Sequence, residues 1–154
     1  MAVTLAEYAP AGADIGRVVE MLLVHDVVEI DAGDTFAFDA AANLDKAERE
    51  TRAADRLFGL LPDDDGRRIR ALWDEFEEGE TPTARFANAL DRLQGLLMND
   101  APGDGGTWRI HGVTRSQVFA RMAPIQSGAP GLWPVVVDAV ERAIRHGHVR
   151  DDRV

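Results

Sequence analysis

Apolar residues recur along this chain at three- and four-residue intervals, and nowhere does a two-residue alternation persist. The pattern predicts helices joined by short breaks. Residues 1–8 read as the end of a helix, stopped by Pro10 and a turn at Gly12. Asp14 is placed to cap a second helix through Ile15, Val18, Val19, Leu22, Leu23 and Val27 to about Ile30, ended by Gly33. That stretch is apolar on most sides, which predicts a central helix.

Phe36 and Phe38 fall in a loop. Asp45 then opens a charged helix, KAERETRAADRLFGLL, with Ala47, Thr51, Ala54, Leu57, Phe58 and Leu61 expected on one side. Pro62-Asp63 begins the next, carrying Ile69, Leu72, Trp73 and Phe76. Thr81-Pro82 starts a fifth, where Phe86, Leu90, Leu93 and Leu97 form a stripe and Asp91 lies beside it. Residues 99–113 read as a long Gly-rich loop. Thr114 caps RSQVFARMAPI, and a last helix runs from Gly131 to about His146, followed by a polar tail expected to fray. The expected fold is all-α, a compact bundle of several short helices in one domain over residues 1–154.

Composition narrows the function. The chain of 154 residues carries 17 Lys and Arg against 27 Asp and Glu, a net charge of −10. Nucleic-acid polymers need clustered cations, so this balance argues against them as partners; a single nucleotide is not excluded, because a bound cation can offset its charge. The absence of cysteine removes disulfides, thiolate nucleophiles and Cys-based zinc sites. No apolar run reaches the roughly 20 residues of a membrane span, and the first residues lack a basic, signal-like start. The cytoplasm is the simplest compartment.

The candidate chemistry lies in MLLVHDVVEIDAGDT. His25 and Asp26 are two side chains of the type that hold a hydrolytic divalent cation. As neighbours on a helix they point about 100° apart, so they reach one ion only at the helix flank. Glu29 lies four residues after His25 on the same face, where a carboxylate can manage a proton. Asp34, in Gly33-Asp34-Thr35, can place water or a substrate hydroxyl. Asp91 sits on a helix that should be mostly buried, and a lone buried carboxylate is costly unless paired or metal-bound.

Each of these residues also has a plain role open to it. His25 can bond a backbone carbonyl, Glu29 can be solvated, Asp34 can form an Asx turn, and Asp91 can pair with Arg92 or Arg85. For His111, His146 and His148, and for the three tryptophans, the plain role is the expected one.

Taken jointly, His25-Asp26, Glu29, Gly33-Asp34-Thr35 and the later Ala89-Leu90-Asp91-Arg92-Leu93-Gln94 resemble the HD-domain metal-dependent phosphohydrolases, most of all the branch with the bacterial 5′-deoxynucleotidases. The resemblance covers nearly the whole chain from Leu5-Ala6-Glu7-Tyr8 onward. It implies an α-helical, commonly dimeric protein that removes phosphate from (deoxy)nucleoside 5′-monophosphates with a divalent transition metal such as cobalt or manganese. The side chains alone do not choose among manganese, cobalt, zinc, iron and nickel.

The resemblance implies His25, Asp26 and Asp91 as metal ligands, Glu29 as the acid/base and Asp34 as the loop acid. Its first ligand, a histidine about two turns before Leu5, has no counterpart, and His111 is the one weak substitute. Two explanations are open: the first Met is internal to a longer protein, or a short form is genuine and catalytically impaired. The former is favoured because the chain is expected to open mid-helix without a capping residue; either way an apolar face loses its cover, which predicts lowered stability or an oligomer partner that shields it. The rival function is a catalytically inactive nucleotide- or metal-binding, dimer-forming protein of the same fold. A third reading keeps the fold and changes the phosphoester.

Overall fold

A computed structural model describes residues 1–39, 41–101 and 103–153. Helices dominate it: α1 (Ile15–Val24), α2 (Glu29–Ala32), α3 (Lys46–Phe58), α4 (Asp63–Glu78), α5 (Pro82–Asp100), α6 (Gly106–Ile110), α7 (Arg115–Gly128) and α8 (Trp133–Arg145). Among the described residues there is no strand, only one isolated bridge between Thr114 and Arg150. The all-α expectation holds. Among the described residues, no helix is long and apolar enough to cross a membrane.

The caps are where the side-chain chemistry puts them. Asp14 accepts from the Arg17 amide at 3.1 Å, and Thr81 accepts from the Ala84 amide at 3.0 Å with Pro82 in the first turn. Thr114 and Gln117 form a reciprocal capping box at the start of α7. Gly79 ends α4 in the left-handed region (φ 64°), which a Cβ would penalise.

The core is centred on α5. Phe86, Leu90, Leu93 and Leu96 are buried along it, while Leu97, expected in the stripe, turns toward solvent. A 3.6-residue period drifts across four turns, so the stripe passes to Leu96. α5 packs most extensively on α7 and also touches α1, α4, α6 and α8. The α5–α7 approach depends on Gly128: a Cβ there would run into the Arg85 carbonyl and the Ala89 methyl. A second, smaller cluster, with Val28, Ala53, Ala54, Phe58 and Trp73, joins α3 and α4 to the turn after α1.

Several expectations are corrected. Residues 1–8 hold no regular α-helix: Leu5 N–H closes one turn on the Met1 carbonyl at 2.9 Å, and Ala6–Tyr8 is a single 3₁₀ turn. The helix expected over residues 15–30 is interrupted, and it is not buried all round: Leu23 and Ile30 are 73% and 74% exposed on its outer side. α3 stops at Phe58 and buries Glu50, Ala53, Ala54 and Phe58, leaving Ala47, Thr51 and Leu61 outside. The Gly-rich segment folds into a short helix because Trp108 is anchored in the core and Asn99 accepts from both Thr107 Oγ1 (2.8 Å) and the Trp108 amide (3.3 Å). The tail is tied down: Arg150 N–H donates to Val113, its carbonyl accepts from Arg115, and Val149 is only 2% exposed.

Candidate metal centre and active-site cleft

α1 ends where the candidate chemistry begins. His25–Val28 winds as a 3₁₀ turn before α2 takes over at Glu29. Such tighter winding inside a helical run re-aims the side chains it carries. Adjacent side chains stand about 120° apart on such a turn, and the two reach each other only at its flank, where Asp26 Oδ1 lies 3.1 Å from His25 Nε2. Gly33 then adopts φ 78°, a conformation glycine reaches without strain, and the chain leaves the helix toward Asp34. Arg49 staples the following loop, donating to the Ala32 carbonyl, to Thr35 Oγ1 (3.0 Å) and to the Ala42 carbonyl (3.1 Å).

The ring of His25 has a defined tautomer. Its Nδ1 lies 3.2 Å from the Leu22 carbonyl, which can only accept, so Nδ1 carries the proton. In the neutral ring Nε2 then holds a lone pair. That atom is buried and makes no hydrogen bond, with Asp26 Oδ1 and Asp91 Oδ1 (3.5 Å) beside it. Phe76 packs on the ring at 4.7 Å.

Asp91 arrives from α5 and is only 23% exposed. The pairing with Arg92 is realised, with one oxygen accepting from Arg92 at 2.6 Å while the other faces His25. Burial works against its charge, but His25 and Arg92 outweigh burial and hold its carboxyl below the usual value. Burial likewise opposes protonation of His25, and the Asp91 and Asp26 carboxylates overcome it, so its pKa is raised.

His25, Asp26, Glu29, Asp34 and Asp91 all line one cleft of ≈ 530 Å³. Burial, reinforced by the charges of Asp26 and Asp34, lifts the Glu29 carboxyl above its ordinary range. The donor chemistry fits a divalent cation: an orphaned imidazole nitrogen flanked by two carboxylate oxygens. The trio does not close a cage on its own. Among the described residues no group of three or more His, Cys, Asp and Glu side chains is arranged to hold a metal ion.

His111 does not join the site. It stacks on Phe36 at 4.2 Å and lines a neighbouring cavity with Gly112 and Arg150, so it is no substitute ligand. His146 and His148 pair with each other, 5.6 Å apart, outside the cleft. Sequence reasoning also missed residues that the cleft gathers: Lys46, bonded at 2.5 Å to the buried Glu50, and Arg92 with Arg121. Lys46 and Glu50 stood four apart as a signal, and a buried glutamate on an otherwise charged helix was the anomaly.

The sequence profile of the HD domain family matches residues 1–133. The chain belongs to the HD domain family. It is 51% identical, over 97% of its length, to a predicted metal-dependent phosphohydrolase from Magnetospirillum magnetotacticum MS-1, whose 1.37 Å crystal structure superposes with a TM-score of 0.89. The match spans 74% of that chain. Over 81 residues, 53% of the chain, it is 35% identical to 5′-deoxynucleotidase HDDC2 of Bos taurus and of Xenopus laevis. The human protein of that name is 33% identical over the same length. The matched stretch spans 40% of the length of each of these relatives. In this HD domain, the packing of α1 on α5 brings His25-Asp26, on the turn after α1, to Asp91 on α5.

Proposed function

We propose that this HD domain is a metal-dependent phosphomonoester hydrolase acting on nucleoside 5′-monophosphates, deoxy ones foremost. The observation that carries it is the buried, unbonded Nε2 of His25, set between two carboxylates in a cleft. An apolar protein interior does not leave such an atom idle without cost.

His25, Asp26 and Asp91 would hold the cation. When bound, it supplies a Lewis acid that polarises a phosphate oxygen and acidifies water. Nδ1–H of His25, fixed by Leu22, keeps Nε2 pointed inward, and Arg92 keeps Asp91 ionised. Glu29, with its raised carboxyl pKa, takes and returns the proton. Asp34 orients water or the sugar from the loop.

The relatives named 5′-deoxynucleotidases support a nucleotide, and so does the aromatic flank. Phe36 and Phe38 line the cleft with their rings 5.5 Å apart, and a base can stack there. A homodimer would cover the exposed Leu23 and Ile30.

One observation favours a second reading. Because the three donors do not close a cage, a catalytically inactive metal- or nucleotide-binding protein of this fold is the alternative. Phosphate release from a panel of nucleoside monophosphates, with manganese or cobalt, separates them. Metal-dependent release supports the enzyme; metal bound with no release on any substrate supports the alternative.

A further inference from the structure

Among the described residues four arginine side chains have neither a hydrogen-bond nor an ion-pair partner: those of Arg85, Arg109, Arg121 and Arg145. Three of them are on the exposed surface, where water serves them. Arg121 is not; it is half-buried on α7 and lines the cleft that holds the metal trio.

Its isolation is not for want of carboxylates. The cleft is acidic, with Asp26, Glu29, Asp34, Glu50 and Asp91 around it. Asp91 is close enough to raise the Arg121 pKa, but one of its oxygens accepts from Arg92 at 2.6 Å and the other faces His25. Burial and the Arg92 charge outweigh that help and press the pKa of Arg121 down. A half-buried guanidinium beside a second guanidinium costs free energy, which an anion would offset. Among the described residues no carboxylate makes an ion pair or hydrogen bond with it.

The mounting is rigid. α7 lies close against α5 where Gly128 meets the Arg85 carbonyl and Ala89, and the next residue, Met122, is buried in the core. A planar guanidinium held on such a helix, with its donors unused, matches the oxygens of a tetrahedral oxyanion.

We propose that Arg121 is the anion receptor of this cleft, taking the non-reacting oxygens of a phosphate group that lies against the His25–Asp26–Asp91 trio. The identity of that group as a substrate monoester rests on the phosphohydrolase reading; the anion site itself does not. Arg92 serves Asp91 and is a positioning residue, whereas Arg121 touches the ligand.

The test is titration of inorganic phosphate into the manganese-loaded full chain, and into Arg121→Met and Arg121→Lys, by calorimetry. Manganese affinity and thermal melting are followed separately. The expected result is phosphate binding weakened about tenfold or more in Arg121→Met, the loss of a charged hydrogen bond. Arg121→Lys recovers part of it, manganese affinity is unchanged, and Arg121→Met melts no lower than the parent. Equal phosphate affinity in parent and Arg121→Met, or no phosphate binding by the manganese-loaded parent, overturns the proposal. So does loss of folding or of manganese affinity in both variants, which would make Arg121 structural. Arg121-dependent phosphate binding without hydrolysis of any nucleoside monophosphate upholds the anion site and removes the reaction instead.

Discussion

The Nε2 atom of His25 lies 3.5 Å from Oδ1 of Asp91, joining the turn after α1 to the middle of α5. Neither residue has this neighbour in sequence. The contact exists because α1 packs on α5 and the 3₁₀ turn at His25 directs the ring inward. If the pair is a cation site, then His25→Ala or Asp91→Ala removes manganese binding measured by calorimetry. The parent should also gain thermal stability with added manganese, by about 2.7 kcal/mol at a hundred times the dissociation constant, and these variants should gain none. An equal gain in Asp91→Ala would place the ion elsewhere.

Glu29 carries the pH dependence. Its carboxyl pKa is raised, first by burial and then by the charges of Asp26 and Asp34. A base must be ionised to act, so activity falls as pH drops through that raised value. The acid limb should therefore stand above the ordinary glutamate range. Asp34→Asn removes one negative neighbour, which lowers the Glu29 pKa and moves the limb to lower pH. A pH–rate profile of Asp34→Asn whose limb stays put or moves up would dissociate the two residues.

How much of this was legible in the sequence depends on range. His25-Asp26, Glu29 and Asp91 were legible because each is a polar side chain where a helical pattern expects burial, and the joint spacing resembled one family. The caps at Asp14, Thr81 and Thr114 were legible because capping is local. The 3₁₀ turn at His25 was not, since no Gly or Pro marks it. Arg121 was hidden among many arginines; the Arg92–Asp91 pair is local, but only the packing of α7 on α5 brings Arg121 into the same cleft. The pinned tail depends on Val149 finding the core, a contact no local pattern announces.

Gly128 is a packing residue, and its substitution tests the α5–α7 approach. Gly128→Ala drives a methyl into the Arg85 carbonyl and Ala89. Overpacking of this kind costs about 1–3 kcal/mol. The urea midpoint should fall accordingly, with little change in slope. An unchanged midpoint would mean that the two helices can separate freely.

Arg17 and Glu75 tie α1 to α4, with Arg17 Nε donating at 2.8 Å and Thr81 Oγ1 at 2.6 Å to the same carboxylate. Burial alone would raise the Glu75 pKa, but Thr81 and Arg17 reverse this and lower it. A depressed carboxyl pKa stabilises the fold above the unfolded value, and this contribution is lost as pH falls through the folded one. Arg17 is 40% exposed, so screening limits the pair to about 1 kcal/mol or less. Arg17→Met should melt lower than the parent at neutral pH, and the gap should close in acid. A gap that persists below the carboxylate range would assign the difference to packing.

The most direct test of the account is phosphate release from a deoxynucleoside 5′-monophosphate by the parent and by Glu29→Gln, with manganese affinity measured on both. The account expects metal-dependent release by the parent. It expects release to fall by about a hundredfold or more in Glu29→Gln, with manganese bound as tightly as before. Release that survives the substitution, or that persists when the metal is chelated, would contradict it.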